Sequence, residues 1–291
     1  NWHGRTLGAQ MMSGNPSQKE WIGYHDLNIH HIPFPYPWAL NGKTGTEFLE
    51  MGLNNLQKSG VDLENDICGF MLETFQGWGA VFYPKEFVKA IETICKKNNL
   101  LLSFDEMQSG FARTGKKFGY EHYEVQADLL CCGKGIASGF PLSAVIGTAE
   151  IMDLPEVGNM SSTHSANPFV CAAGMATLEE IDRLNLVNET NRKGLIFHQK
   201  LNELKLKYSE NISFVFGQGL LAALIFKLPN TNDPETHLPS IISEKAMQKG
   251  LLVVHTGRES IKLAPPLTIS DEALVEGINV LDESISEVLN N

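Results

Sequence analysis

The chain has 291 residues, 43% of them hydrophobic and 20% charged, the composition of a globular protein with room for a sizeable core. That excludes a mainly disordered, collagen-like or coiled-coil chain, and no apolar run is long enough to span a bilayer. A formal net charge of −11 without a basic stripe excludes nucleic acid as a partner.

The opening Asn-Trp-His-Gly carries neither an initiator Met nor a signal peptide and reads as the interior of a motif, so the expectation is a chain cut short at its N-terminus. His25, His30 and His31 precede the proline-rich PFPYPW and read as loop histidines, since no cysteine or carboxylate spacing supports a metal. Residues 66–74 form an apolar run of strand length. After Pro84 the apolar residues Phe87, Val88, Ile91 and Cys95 recur at helical spacing up to Asn98. Further apolar strands are predicted at 100–106, 128–134 and 141–148. Such strands, alternating with helices, predict a mainly parallel sheet covered on both faces. From Pro168 to about Ser209 the pattern is helical. Residues 212–226 read as a β-hairpin, 240–249 as a helix, 251–256 and 260–266 as a strand pair, and 270–289 as a final helix opened by Ser270. The boundary is placed near 180, with a large domain over 1–180 and a smaller C-terminal α/β domain over 181–291. Gly217-Gln218-Gly219-Leu220-Leu221-Ala222 formally fits a dinucleotide fingerprint, but a strand follows it where a helix is required. The cysteines Cys68, Cys95, Cys131, Cys132 and Cys171 are odd in number and scattered. They read as reduced thiols, which points to the cytoplasm and leaves the sequons at Asn188 and Asn211 unused.

Ligands of open α/β sheets bind beyond the carboxyl ends of the strands. Three predicted strands here end in a titratable residue close to glycine. Glu73 precedes Gln76-Gly77, Asp105-Glu106 precede Gln108-Ser109-Gly110, and Lys134 stands between Gly133 and Gly135. Taken alone, Glu73 reads as a solvated strand end. Lys134 follows the apolar Leu-Leu-Cys-Cys, a poor setting for an idle charge, and reads as a buried functional lysine. A phosphate-binding P-loop fails, because Asp128 and Gly135 stand where it needs glycine and Ser or Thr. A lysine amine with a carboxylate opposite suits pyridoxal 5'-phosphate, which needs an amine for a Schiff base and an acid facing its pyridine nitrogen.

The segments FDEMQSGFARTGKKFGYEHY (104–123) and CCGKGIASGFPLSAVIG (131–147) resemble the signature of the class III (ω-amino acid type) aminotransferases, and the likeness extends over essentially the whole chain. The resemblance implies a PLP-dependent transferase of fold type I, a homodimer with shared active sites. It implies that Lys134 is the Schiff-base lysine, that Asp105 pairs with the pyridine nitrogen, and that Gln108 contacts the ring hydroxyl. WHGRT (2–6) is similar to the family's aromatic-His-Gly segment, which puts Trp2 on the cofactor ring and His3 beside it. Glu73 and Gln76 match the E-x-x-Q-G segment. STHSANP (162–168) resembles the loop whose Thr163 reaches the phosphate held by the neighbouring subunit. On their own, Trp2 reads as a core aromatic and Thr163 as the N-cap of the helix from 168.

Two positions depart from the pattern. Where many members carry Glu directly after E-x-x-Q-G, this chain has Trp78, and where many carry the arginine that binds a substrate carboxylate, it has Lys262. Lysine is a point charge and arginine a planar fork, so the usual glutamate/2-oxoglutarate half-reaction is not assumed. The family's phosphate-cup segment, expected before WHGRT, is not in this sequence. The reading is therefore an aminotransferase that moves an amino group from an amine, ω-amino compound, amino acid or amino sugar to a keto acid. The alternatives are a racemase, aminomutase or decarboxylase of the same family, or a catalytically incomplete fragment.

Overall fold

The computed structural model describes residues 2–23 and 28–290; His25 lies outside the described residues. The helices are α1 (Leu7–Met12), α2 (Gly45–Lys58), α3 (Lys85–Asn98), α4 (Ala149–Met152), α5 (Pro168–Arg183), α6 (Leu186–Lys207), α7 (Leu238–Gln248) and α8 (Asp271–Asn290). The strands are β1 (Gly69–Glu73), β2 (Phe75–Gln76), β3 (Val81–Phe82), β4 (Leu101–Asp105), β5 (Leu129–Cys132), β6 (Ala144–Gly147), β7 (Ile212–Gln218), β8 (Leu221–Phe226), β9 (Val254–His255) and β10 (Ser260–Leu263). They divide into two compact units. The first comprises Asn1–Gly77, Tyr83–Gly110 and Gly119–Glu179, the second Trp78–Phe82, Phe111–Phe118 and Glu180–Asn291.

In the first unit the sheet order is β1-β4-β5-β6. β1, β4 and β5 are parallel, with α3 as the crossover between the first two. α3 buries Phe87, Val88, Ile91 and Cys95 and ends at Asn99, whose φ of +54° is the left-handed stop that asparagine tolerates. Its first residue is Lys85, and Pro84 stands at the cap just outside it. β6 runs antiparallel to β5. The 133–143 link is too short to carry a crossover helix, so the chain turns straight back. The predicted 168–209 helix is two helices, broken at Asn185 with a φ of +50°.

The strand register pairs the acids. Glu73 lies opposite Asp105, and Asp105 opposite Cys131, so both acids stand side by side at carboxyl ends of neighbouring strands. Glu106, the next residue, is fully buried. Its carboxylate accepts Thr74 Oγ1 at 2.6 Å, Ser109 Oγ at 2.6 Å, the Gly119 amide at 2.8 Å and the Tyr120 amide at 2.7 Å. Burial pushes its pKa up, and these four donors pull against that.

The second unit carries the antiparallel sheet β7-β8-β10-β9. β7 and β8 form the expected hairpin around Gly219, whose φ of +60° suits the turn, and every residue of β8 is buried. The would-be dinucleotide fingerprint is thus a hairpin corner. The core gathers Phe197, Leu201, Ile212, Leu224, Phe226 and Ile285 from α6, α8 and the sheet.

Glu106→Gln keeps the size of the side chain but turns an amide N–H2 toward groups that are themselves donors. A loss of about 3 kcal/mol is expected from those unmet bonds, read by urea unfolding of the variant against the wild type.

Candidate active site

The first unit builds a buried acidic pair braced by its own N-terminal segment. His3, with a side chain only 2% exposed, places Nδ1 2.8 Å from Asp105 Oδ2. An ionised carboxylate has no proton to give, so Nδ1 is the donor. Asp105 Oδ1 accepts the Met107 amide at 3.0 Å. The Trp2 amide donates to Glu73 Oε2 at 2.9 Å. The His3 amide donates to Ser13 Oγ at 2.9 Å, and Ser13 Oγ donates to the Ala9 carbonyl at 3.0 Å. The buried Ser13 therefore locks the backbone that carries His3. Nothing in the sequence marks Ser13, since its partner is a main-chain group ten residues away.

Gln108 joins this group. A Cβ added at Gly77 would sit 3.3 Å from Gln108 Nε2 and 3.4 Å from Glu73 Oε1, so glycine lets the amide and the acid converge there. Gly133 has a matching reason, because a Cβ on it would collide with Met107 Sδ. Burial pushes the Glu73 carboxyl above the usual carboxylate range, with the nearby Asp105 charge adding to the shift.

Lys134 follows β5, next to the strand that carries Asp105. It is exposed, which corrects the expectation of a buried lysine: an ammonium without a carboxylate partner is costly to desolvate, and the chain leaves it in water. Among the described residues its side chain makes no hydrogen bond or ion pair. Its φ of +44° lies in the left-handed region, a strained setting for a side chain of this size. Thr163 lies in an exposed loop and makes none of the hydrogen bonds of the Glu73–Asp105 cluster. The cap of α5 is Asn167, whose Oδ1 accepts the Phe169 amide at 3.0 Å. His31 Nε2 lies 3.0 Å from the Met12 carbonyl, consistent with a loop histidine.

Trp78 and Lys262 belong to the second unit. The Trp78 carbonyl accepts Ser260 Oγ at 2.9 Å, and Lys262 lies in β10 opposite Ala223 and Val254. A cleft of about 610 Å³ flanks β1 and is lined by Ile29, His31, Phe34, Phe70, Leu72 and Tyr83, with none of the site residues. Volume alone would therefore mislead here.

Strand-end acids, a lysine after the next strand and a mainly parallel sheet with helices are the arrangement that the resemblance to the class III aminotransferases implies. The chain belongs to the class-III aminotransferase family, whose family model matches residues 1–285. It is 33% identical over 297 residues to a 4-aminobutyrate aminotransferase of Mycobacterium leprae, covering 98% of this chain and 66% of the relative. An acetylornithine aminotransferase of Caldanaerobacter subterraneus subsp. tengcongensis is 30% identical over 289 residues, 99% of this chain and 66% of the relative. An alanine/serine racemase of Pyrococcus horikoshii is 34% identical over 303 residues, 99% of this chain and 63% of the relative. Among solved structures, a transaminase from the marine bacterium Virgibacillus superposes with a TM-score of 0.88 at 25% identity, covering 99% of this chain and 66% of that one. An amine transaminase from an uncultivated Pseudomonas species in a PLP-bound form gives 0.86 at 25%, covering 98% and 68%. The chain thus spans about two thirds of the length of these relatives. No helix among the described residues is long and apolar enough to cross a membrane.

The raised pKa of Glu73 has a defined sign. The folded state holds a proton there that the unfolded chain has released, so this contribution is full below the ordinary glutamate range and is lost as pH rises through the raised value. Glu73→Gln, which still accepts the Trp2 amide, removes that loss. Its stability relative to wild type is expected to climb from about pH 4 toward pH 7, measured by urea unfolding across a pH series.

Proposed function

We propose that this chain is the PLP-dependent body of an aminotransferase that moves an amino group from an amine or ω-amino compound, amino acids and amino sugars included, to a keto acid. The observation that carries it is the carboxylate of Asp105. It is buried at a strand end, braced by His3 on one oxygen and by the Met107 amide on the other, with Lys134 at the end of the adjoining strand.

The donor set fits pyridoxal phosphate. Each Asp105 oxygen accepts one bond and keeps a second lone pair, the capacity needed for a pyridinium N–H. The cofactor, when bound, supplies an electron-withdrawing ring that stabilises negative charge beside the transferring nitrogen. The protein supplies the rest. Asp105 would hold the proton on the ring nitrogen, and His3 would fix the rotamer of Asp105. Trp2 would cover a ring face, Gln108 would reach the ring hydroxyl, and Glu73 with Gln76 would complete the surrounding network. Lys134 would hold the cofactor through its Nζ and, once free, carry a proton on that atom as general base. Its exposed amine and strained backbone suit a residue that must attach and detach. On the substrate side Trp78 would give an apolar wall, and Lys262 would attract an anionic group.

A homodimer with shared sites is part of the same proposal, with Thr163 of one copy reaching the phosphate held by the other. It is supported by the exposed apolar surface of Phe140, Ile146, Leu154, Val157, Met160 and Phe169 in the first unit, large side chains of a kind that mark association surfaces. A large domain over 1–180 with a small one over 181–291 remains the proposed division. The cytoplasm is the proposed location, supported by five free cysteines, of which burial pushes Cys95 and Cys132 up to about 12. A racemase is the second reading, favoured by the likeness to the alanine/serine racemase. It would use the same lysine and aspartate and need no keto acid.

The test is the absorbance of the protein with PLP as amines are added. A visible band is expected that borohydride converts into a covalent adduct, that Lys134→Ala abolishes, and that a donor amine bleaches and a keto acid restores. Asp105→Asn should keep the adduct and slow bleaching by at least about a hundredfold. A band that never bleaches and a product that is only epimerised would favour the racemase. No band in the wild type would overturn the cofactor assignment.

A further inference from the structure

Glu73 and Asp105 close the β1–β4 ladder as a register pair, and each is only 5% exposed. Paired residues of neighbouring parallel strands point to the same face of the sheet, so the two carboxyls share one patch shielded from water. Their donors are unequal. Asp105 takes His3 Nδ1 at 2.8 Å and the Met107 amide at 3.0 Å, while Glu73 takes the Trp2 amide at 2.9 Å. Burial raises the Glu73 pKa and the Asp105 charge adds to it; the chain's amino group, the Trp2 amide and His3 pull the other way without cancelling it. The Tyr83 phenol, and the Cys131 thiol opposite Asp105 on β5, are both pushed up by burial and add no charge. Glu106 turns to the other face, toward its own four donors, and Lys134 lies exposed. Between them Glu73 and Asp105 thus hold one negative charge, on Asp105, and one proton, on Glu73.

We propose that Glu73 is the proton store of the cofactor site: it keeps its proton while Asp105 stands alone, and releases it to water when a protonated pyridine ring pairs with Asp105. The positive ring offsets the repulsion that Asp105 exerts, so the same patch can admit a second negative charge. The O–H bond of the Glu73 carboxyl breaks, its electron pair stays on the oxygen, and no other bond changes. The two carboxyls and the ring together then carry the same net charge as the two carboxyls did before. Loading becomes coupled to pH. Because a proton is released, binding strengthens as pH rises, by about tenfold per unit, and levels off once Glu73 of the free protein has ionised. The inference rests on the reading of this cluster as a PLP site and is independent of which reaction the cofactor then serves.

The experiment is calorimetric titration of the protein with PLP in buffers of different ionisation enthalpy, which counts the protons released, with absorbance titrations for Kd, from about pH 5 to pH 8. At the acid end the wild type should release about one proton more than Glu73→Gln, and its Kd relative to that variant should fall about tenfold per pH unit. Both differences should fade toward the alkaline end. They should persist in a Lys134→Ala background, since the proton answers to the ring nitrogen and not to the lysine amine. Circular dichroism establishes that Glu73→Gln folds. The wild type alone gives a second readout: its difference infrared spectrum should lose a protonated-carboxyl stretch when PLP is added. Equal proton counts and parallel pH dependence in wild type and Glu73→Gln would overturn the proposal, as would a carboxyl stretch unchanged by PLP. A wild type that binds no PLP would overturn it together with the cofactor assignment. A linked proton alongside a cofactor band that no amine bleaches would remove the transamination reading and keep the proton store.

Discussion

The first unit depends on a carboxylate that does no chemistry in it. Glu106 is buried completely, and a lone charge in that position would cost several kcal/mol. Two hydroxyls and two backbone amides offset the cost, drawn from Thr74 after β1, Ser109 and Gly119–Tyr120. The knot ties the chain where β1 and β4 both end. Successive side chains of an extended strand point to opposite sides, so fixing Glu106 on one side fixes Asp105 on the other. The position of the acid next to His3 is thus set by a neighbour whose bonds all lie elsewhere.

Asp105 and Glu73 are adjacent by register, and two adjacent buried carboxylates resist ionising together. The structure treats them unequally. Asp105 receives an imidazole and a backbone amide, while Glu73 receives one amide and is pushed upward by burial. Lys134 stands in contrast to both: the acids are packed and bonded, and the amine is exposed, strained and unpaired among the described residues. Packed acids beside an exposed amine suit chemistry in which charge must be held still while a covalent link is made and broken.

How far the sequence could be read depends on the physics of each signal. β1, β4 and β5 are legible because strands covered on both faces are continuous apolar runs, and the strand-end acids because such runs rarely stop on a charge near glycine. The antiparallel β6 is not, since an apolar run carries no direction; the shortness of the 133–143 link is the available clue. The break at Asn185 hides inside a helical pattern, because asparagine becomes a stop only when its φ turns positive. α2 escapes a reading based on apolar runs, although Thr44 and Glu47 form a capping box that a Thr-x-x-Glu search finds. The exposure of Lys134 contradicts the apolar context before it, since strand burial says nothing of the residue two positions past the strand. Ser13 cannot be found by pattern at all, because it acts through a main-chain partner that folding alone brings near.

In the second unit, packing fixes the pose of a long charged side chain. Freezing an arginine that is free in water carries an entropy cost. Stacking Arg258 on Trp78 and pairing its inner edge with Glu259 removes most of that freedom. The tryptophan is therefore more than an apolar wall. Its ring face attracts the cation and sets its plane, while Ser260 holds the indole's backbone in place. Glutamate at position 78 would pair with a nearby cation through its donors. An aromatic ring holds the guanidinium through its face instead, so the same residue that excludes an ion pair at 78 fixes the plane of the arginine at 258.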